Sequence, residues 1–517
     1  MAFDSFLDAR EIEDGTELSA QVCIVGAGAA GITIARSLVR SGIAVCLLEA
    51  GGLSVDPRVE ALSVIENTGR DYDPNRKRLR LFGGTTNHWG GHCVPLREKD
   101  LLPQEGVDHT GWPFSYDQLR PYYQRAHEQL GLGPFAYDPQ ATAVELGGAK
   151  LLPFDGQRVE TTLSRYNRVR FGLAYGDELA ASPHLRCVLY ADVSAFELDA
   201  PEGEVTELAR VRSVAGNQFT VRARYFVLAC GGIENARVLL ASNHQRPAGL
   251  GNHADMAGRF FAEHIWFESG YIVPKGPFSS YRHYTEEVTA RQSDVRFHIA
   301  LTSEANREMR IPSFRAELEA KSATYWEAKD LKKSGPSLAG VTQLLGSPFD
   351  LGHALRCRSD TPADAFVLGN YVEQTPNPDS RVMLSAKRDA LGRQNPRLNW
   401  RLQAIDKEGV MQAQAVLARE VGRAGAGRMR INLHDLDEIE IGASGGAHHM
   451  GTTRMNANPR QGVTDAWGRV HHTRNLYVAG SSLFPNCGYA NPTLTIVATS
   501  LRIADTLKGR LAKGAEA

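Results

Sequence analysis

The chain has 517 residues, 42% hydrophobic and 23% charged, enough apolar content for a sizeable core and too much for a disordered polymer. Lysine and arginine number 58 against 59 aspartate and glutamate, so no net field marks a nucleic-acid or anionic-lipid partner. Seven scattered cysteines without a CxxC pair exclude a disulfide framework and a cysteine zinc site, and they point to a reducing, cytoplasmic setting. The first twenty residues are acidic and lack the apolar stretch of a signal peptide, and no run approaches eighteen apolar residues, so no membrane span is expected.

Val22-Cys23-Ile24-Val25 reads as a buried strand running into Gly26-Ala27-Gly28-Ala29-Ala30-Gly31. A helical pattern follows, with Ile32, Ala35, Leu38 and Val39 on one face, and Ser41-Gly42 ends it before a second strand, Ile43–Glu49. Gly26 permits the tight turn, Gly28 lets a pyrophosphate approach the backbone, and Gly31 lets helix and strand pack closely. Glu49, eighteen residues after Gly31, stands where a carboxylate accepts both ribose hydroxyls. An acid there disfavours NADP and leaves NAD or FAD.

The next glycine cluster is Gly83-Gly84-Thr85-Thr86-Asn87-His88-Trp89-Gly90-Gly91, a loop suited to lie against a flat ligand. Ser115 is a plausible N-cap for a packing helix with Leu119, Tyr122, Tyr123 and Ala126 inward. Strand-like runs at Cys187–Tyr190 and Tyr225–Cys230 lead to Gly231-Gly232 and a second helix, returning the chain to the dinucleotide domain. Between about 265 and 430 polar loops predict a separate substrate domain on an antiparallel sheet, with 376–380 and 389–392 as turns joining its strands. Two further clusters follow, Gly445-Gly446-Ala447-His448-His449-Met450-Gly451 and Asn475–Ser482, the latter continuing to Gly488–Thr495. Gly480 allows close approach after a short strand, and Asn491 is expected to cap a helix with Pro492 at its first position and Gly509 as its stop.

Four ordered clusters over more than 450 residues resemble the glucose–methanol–choline (GMC) family of FAD-dependent oxidoreductases. The GGAHHMG spacing and Asn87-His88-Trp89 are most similar to its branch of pyranose oxidase and sugar dehydrogenase catalytic subunits. The resemblance implies an α/β fold with a Rossmann-like FAD domain assembled from separated segments, 1–264 and 431–517, and a substrate domain at 265–430 on a mostly antiparallel sheet. It also implies His448 and Asn491 as the catalytic pair facing the flavin, with His448 preferred to His449. The cofactor positions expected from motif and resemblance together are Gly26, Gly28, Ala30, Gly31, Glu49, Gly84, Thr85, Asn87, His88, Trp89, Val193, Gly480, Asn491, Pro492 and Thr493.

Alcohol oxidation by hydride transfer to flavin N5 needs a base for the hydroxyl proton, and a neutral imidazole suits that task near pH 7. Asn491 is no base, but it can hold the substrate oxygen. The helix start at Pro492-Thr493 offers amides and a dipole to negative charge on reduced flavin. His88 aligns with a position that carries a covalent flavin bond in pyranose oxidase, so covalent and noncovalent FAD both remain open. The implied activity is oxidation of an alcohol on a sugar, glycoside or polyol, with oxygen or a quinone or cytochrome as acceptor and no metal. An FAD-containing lyase without net redox chemistry and a noncatalytic flavin-binding protein are alternatives. An NAD-dependent dehydrogenase accounts for the first motif only.

Overall fold

The computed structural model describes residues 6–321, 364–431 and 446–514; Cys357 and Gly445 lie outside the described residues. The continuous apolar runs of the N-terminal region form the centre of an eight-stranded sheet. Its spatial order is Phe6–Asp8, Leu185–Leu189, Val45–Leu48, Glu17–Val25, Gln218–Leu228, Thr206–Arg212 and Asp192–Leu198. Leu476–Val478 also pairs with Gln218–Leu228, in parallel, so the sheet takes a strand from each end of the chain.

The helix Ala29–Val39 begins at Gly28 and buries Ile32, Ala35, Leu38 and Val39 against this sheet. It approaches so closely that a Cβ on Gly31 would stand 1.8 Å from the Gly26 carbonyl oxygen. Gly26 itself has φ +100°, and a Cβ there would meet the Ala229 carbonyl oxygen at 2.6 Å. The helix Tyr116–Leu130 is capped by Ser115 and Gln118 in a reciprocal box and buries Leu119, Tyr123 and Ala126, with Tyr122 half-buried.

A second eight-stranded sheet is antiparallel throughout, in the order Gly427–Ile431, Ile265–Pro274, Ala365–Val372, Phe314–Lys321, Ser293–Leu301, Val159–Tyr166 and His92–Cys93, with Val288–Ala290 on Ser293–Leu301. Two of its strands precede residue 265, so the sheet is not confined to the 265–430 segment. Strand alternation divides its residues. Phe314, Ala316 and Leu318 enter an apolar core with Val410, Ala413 and Leu417 of the helix Ala404–Arg423, while Arg315 and Glu317 take the opposite face.

The 389–392 turn does join two strands, Arg381–Arg388 and Gln394–Asn399, but their hairpin pairs with Glu66–Asn67 in a separate three-stranded sheet. The C-terminal helix spans Thr493–Ala512 and runs through Gly509, and Asn491 does not cap it, because the Asn491 amide is engaged elsewhere. One glycine costs about 1 kcal/mol in a helix, too little to stop a helix that buries Leu494, Val497, Leu501 and Ala504. No helix among the described residues is long and apolar enough to cross a membrane.

The packing at the first turn is testable. Gly31→Ala is expected to lower thermal stability by about 1–3 kcal/mol through overpacking. Gly28→Ala, whose Cβ would meet no protein atom within 4 Å, should unfold close to wild type when both are compared as flavin-free protein in the same circular-dichroism melt.

Candidate active site

A cavity of ≈ 610 Å³ runs from the first glycine turn to the wall formed by the second sheet. At its nucleotide end the backbone does most of the shaping. Glu49 is buried and accepts from the amides of Ala27 at 2.8 Å and Gly51 at 3.0 Å. Burial raises its pKa, opposed by those two amides. The second glycine loop docks on the first: Gly83 N–H donates to the Ala27 carbonyl at 2.8 Å, and a Cβ on Gly84 would lie 3.1 Å from Gly28 Cα. Beyond Glu49, Arg80 bridges Asp192 at 2.9 Å and Glu234 at 3.1 Å, and Arg393 pairs with Asp192 and Asp389.

Every expected cofactor position borders this cavity except Gly31 and Asn87. Gly31 is tucked beneath Gly26, as its packing role requires. Asn87 turns inward, its amide donating to the carbonyls of Phe82 at 3.1 Å and Gly84 at 2.9 Å. Its Nδ2 group thereby braces the loop.

The far end of the cavity is built from side chains. Gly446 and Ala447 both have left-handed φ, +55° and +61°, a sharp turn that delivers His448. A Cβ on Gly446 would stand 2.3 Å from Glu263 Oε1. The buried Glu263 carboxylate accepts from the backbone amide of His448 at 2.8 Å, from that of His264 at 2.9 Å, and from the Tyr72 hydroxyl at 2.9 Å. Burial raises its pKa to about 7.

His448 Nδ1 lies 2.7 Å from His264 Nδ1, and His448 Nε2 lies 3.5 Å from Asn491 Nδ2. Asn491 Oδ1 accepts from Arg315 Nη2 at 3.0 Å. Arg315 also donates to Ser164 and Glu317, each at 3.0 Å, and stands 4.8 Å from the Tyr371 ring centre. Burial pushes Glu317 up, but His92 and Arg315 hold its carboxyl well below the usual range. His448 is kept well below the usual imidazole pKa by burial first and then by His264 and other neighbours. His449 also borders the cavity, but its Nε2 is tied to the Tyr72 hydroxyl at 2.8 Å, and burial lowers its pKa to about 3.

Of the two adjacent histidines, His448 is therefore the one beside Asn491. Sequence reasoning missed Glu263, His264, Arg315, Glu317 and Tyr371. The signals were present: Glu263-His264 interrupts the apolar run 260–267, and Arg315 and Glu317 alternate with Phe314, Ala316 and Leu318.

Comparison with known proteins bears on the chemistry of this cavity. Residues 376–500 match the GMC oxidoreductase family and residues 21–252 the FAD dependent oxidoreductase family. The chain is an FAD-dependent oxidoreductase that carries a GMC oxidoreductase C-terminal domain. It is 26% identical to the fructose dehydrogenase large subunit of Gluconobacter japonicus, across 96% of this chain and 99% of that one. It is 27% identical to paromamine 6'-oxidase of Streptomyces fradiae, across 95% and 91%. Among solved structures, pyridoxine 4-oxidase from Mesorbium loti shares the fold with a TM-score of 0.57 at 18% identity, covering 95% of this chain and 99% of that one.

FAD fits this oxidoreductase's cavity on its own geometry. The first turn of Ala29–Val39 has no side-chain cap, and the space over Gly28 is open, as a diphosphate requires. A Cβ on Gly480 would likewise meet nothing within 4 Å. One electrostatic element of the far wall can be checked by itself. Glu317→Gln should cost about 3–5 kcal/mol in urea unfolding, because it leaves the Arg315 guanidinium buried without its counter-charge.

Proposed function

We propose that this GMC oxidoreductase oxidises an alcohol of a sugar, glycoside or polyol to a carbonyl, with His448 as base and Asn491 as its partner. The observation that carries the reading is the pairing of His448 Nε2 and Asn491 Nδ2, 3.5 Å apart on one cavity that begins at Gly28 and Glu49. Bound in this cavity, FAD would supply the acceptor for the hydride of the alcohol carbon. His448 accepts the hydroxyl proton, and the Asn491 amide donates a hydrogen bond that holds the same oxygen. Pro492 and Thr493 at the start of the C-terminal helix also border the cavity, and the amides from Thr493 onward offer donors to negative charge.

The sugar and polyol class is supported by relatives named for fructose, paromamine and 2-methyl-1,2-propanediol. The lyase alternative finds no support among them, since their names are those of oxidases and dehydrogenases. A cytoplasmic setting belongs to the same proposal and is supported by six free cysteines among the described residues, five of them buried.

Anaerobic mixing with sugars, aminoglycosides and diols is expected to bleach the flavin absorbance, and admitting oxygen or a quinone in parallel identifies the acceptor. An enzyme that turns over a substrate from this panel without bleaching would sink the redox assignment. His448→Ala should slow flavin reduction roughly 10²–10⁴-fold with FAD retained.

The pH dependence follows from the same burial. A base must be neutral to act, and the His448 pKa is depressed. The acid limb of kcat/KM should therefore lie below the ordinary imidazole value of about 6.5. A limb at or above 6.5 would contradict a depressed His448 pKa.

A further inference from the structure

We infer that His264 is a positioning residue that fixes the tautomer of His448, leaving the His448 Nε2 lone pair facing the substrate space. The inference rests on the reading of His448 as the base and adds how its proton-accepting nitrogen is chosen. It follows from two groups that have no choice of role. A backbone carbonyl only accepts, so the 2.8 Å contact between His264 Nε2 and the Gly488 carbonyl places the His264 proton on Nε2. His264 is buried without exposure and neutral, its pKa lowered to about 4 by burial, so its Nδ1 carries only a lone pair. The 2.7 Å contact between the two Nδ1 atoms then requires the proton on His448 Nδ1. His448 Nε2 is left bare.

The other terminus gives the same polarity. A guanidinium only donates, so Arg315 Nη2 at 3.0 Å fixes which end of the Asn491 amide is oxygen. Its Nδ2 consequently faces His448 Nε2 at 3.5 Å, donor toward lone pair. Donation therefore runs in one direction: Arg315 to Asn491, Asn491 to His448, His448 to His264, and His264 to Gly488. A hydroxyl entering between His448 and Asn491 meets an acceptor for its proton and a donor for its oxygen together. Glu263 holds the two rings in register, because its carboxylate binds the backbone amides of both histidines. The Tyr371 ring lies against both, with centroids 6.3 Å from His264 and 6.4 Å from His448.

The direct test is the tautomer in the intact, FAD-loaded protein carrying ring-¹⁵N histidine. The signals that disappear in His448→Gln should show a protonated Nδ1 and an unprotonated Nε2; the reverse pattern overturns the inference. The kinetic test uses two substitutions. His264→Leu removes the acceptor and should lower the limiting rate of anaerobic flavin reduction about 10–100-fold, with the half-saturating substrate concentration within about threefold of wild type. His264→Asn returns an acceptor oxygen near the Nδ1 position and should recover most of that rate. A merely structural role predicts equal losses in both variants, and that result would refute positioning, as would a wild-type rate in His264→Leu. If His448→Ala itself reduces flavin normally, the reading of the base fails instead, whatever the tautomer.

Discussion

Arg315 sits at 0% exposure with its guanidinium shared among Ser164, Glu317 and Asn491. A charge so far from water is tolerated only when its partners stand in place together. Ser164 belongs to the strand Val159–Tyr166, Glu317 to the arginine's own strand, and Asn491 to the segment before the C-terminal helix. Register does the rest: Arg315 lies opposite Tyr371 on one neighbouring strand and opposite Ala300 on the other. A one-residue slip would send the guanidinium into the apolar core and Phe314 into the cavity. The same requirement that satisfies the arginine thus holds the Asn491 amide beside His448 Nε2, at 3.5 Å.

The two ends of the cavity are made in different ways. The nucleotide end is largely backbone: glycines that admit close approach, a helix without a capping side chain, and a carboxylate held in place by two amides. The far end is side chains whose geometry depends on Glu263, which ties the His448 turn to the start of the strand Ile265–Pro274. An antiparallel bridge between Ala262 and Met450 fastens the same two segments.

This division explains what was legible in the sequence. The strand, turn and helix around Gly26–Gly31 could be read because each signal is local, and Ser115 announced its helix for the same reason. His448 and Asn491 could be read through the family resemblance, with their contacts hidden. Arg315, Glu317 and Tyr371 become neighbours only through sheet register between segments some fifty residues apart. His264 meets His448 across 184 positions, a separation that no periodicity encodes. Asn491 shows a local rule overridden: Asn-Pro before an apolar helix is a capping signal, but a buried guanidinium claims the amide oxygen. The Asn87 Nδ2 group braces its own loop through the carbonyls of Phe82 and Gly84, a contact its motif position did not announce.

The strand Leu476–Val478 completes the first sheet beside Gln218–Leu228, and the helix that follows packs against Ala29–Val39. One face of Ala29–Val39 is therefore covered by a segment more than 450 residues further along the chain. Contacts this remote along the chain slow folding and expose apolar surface during synthesis. Without the strand Leu476–Val478 one side of Phe226–Leu228 would lie bare, since Thr206–Arg212 reaches only residues 218–222 there.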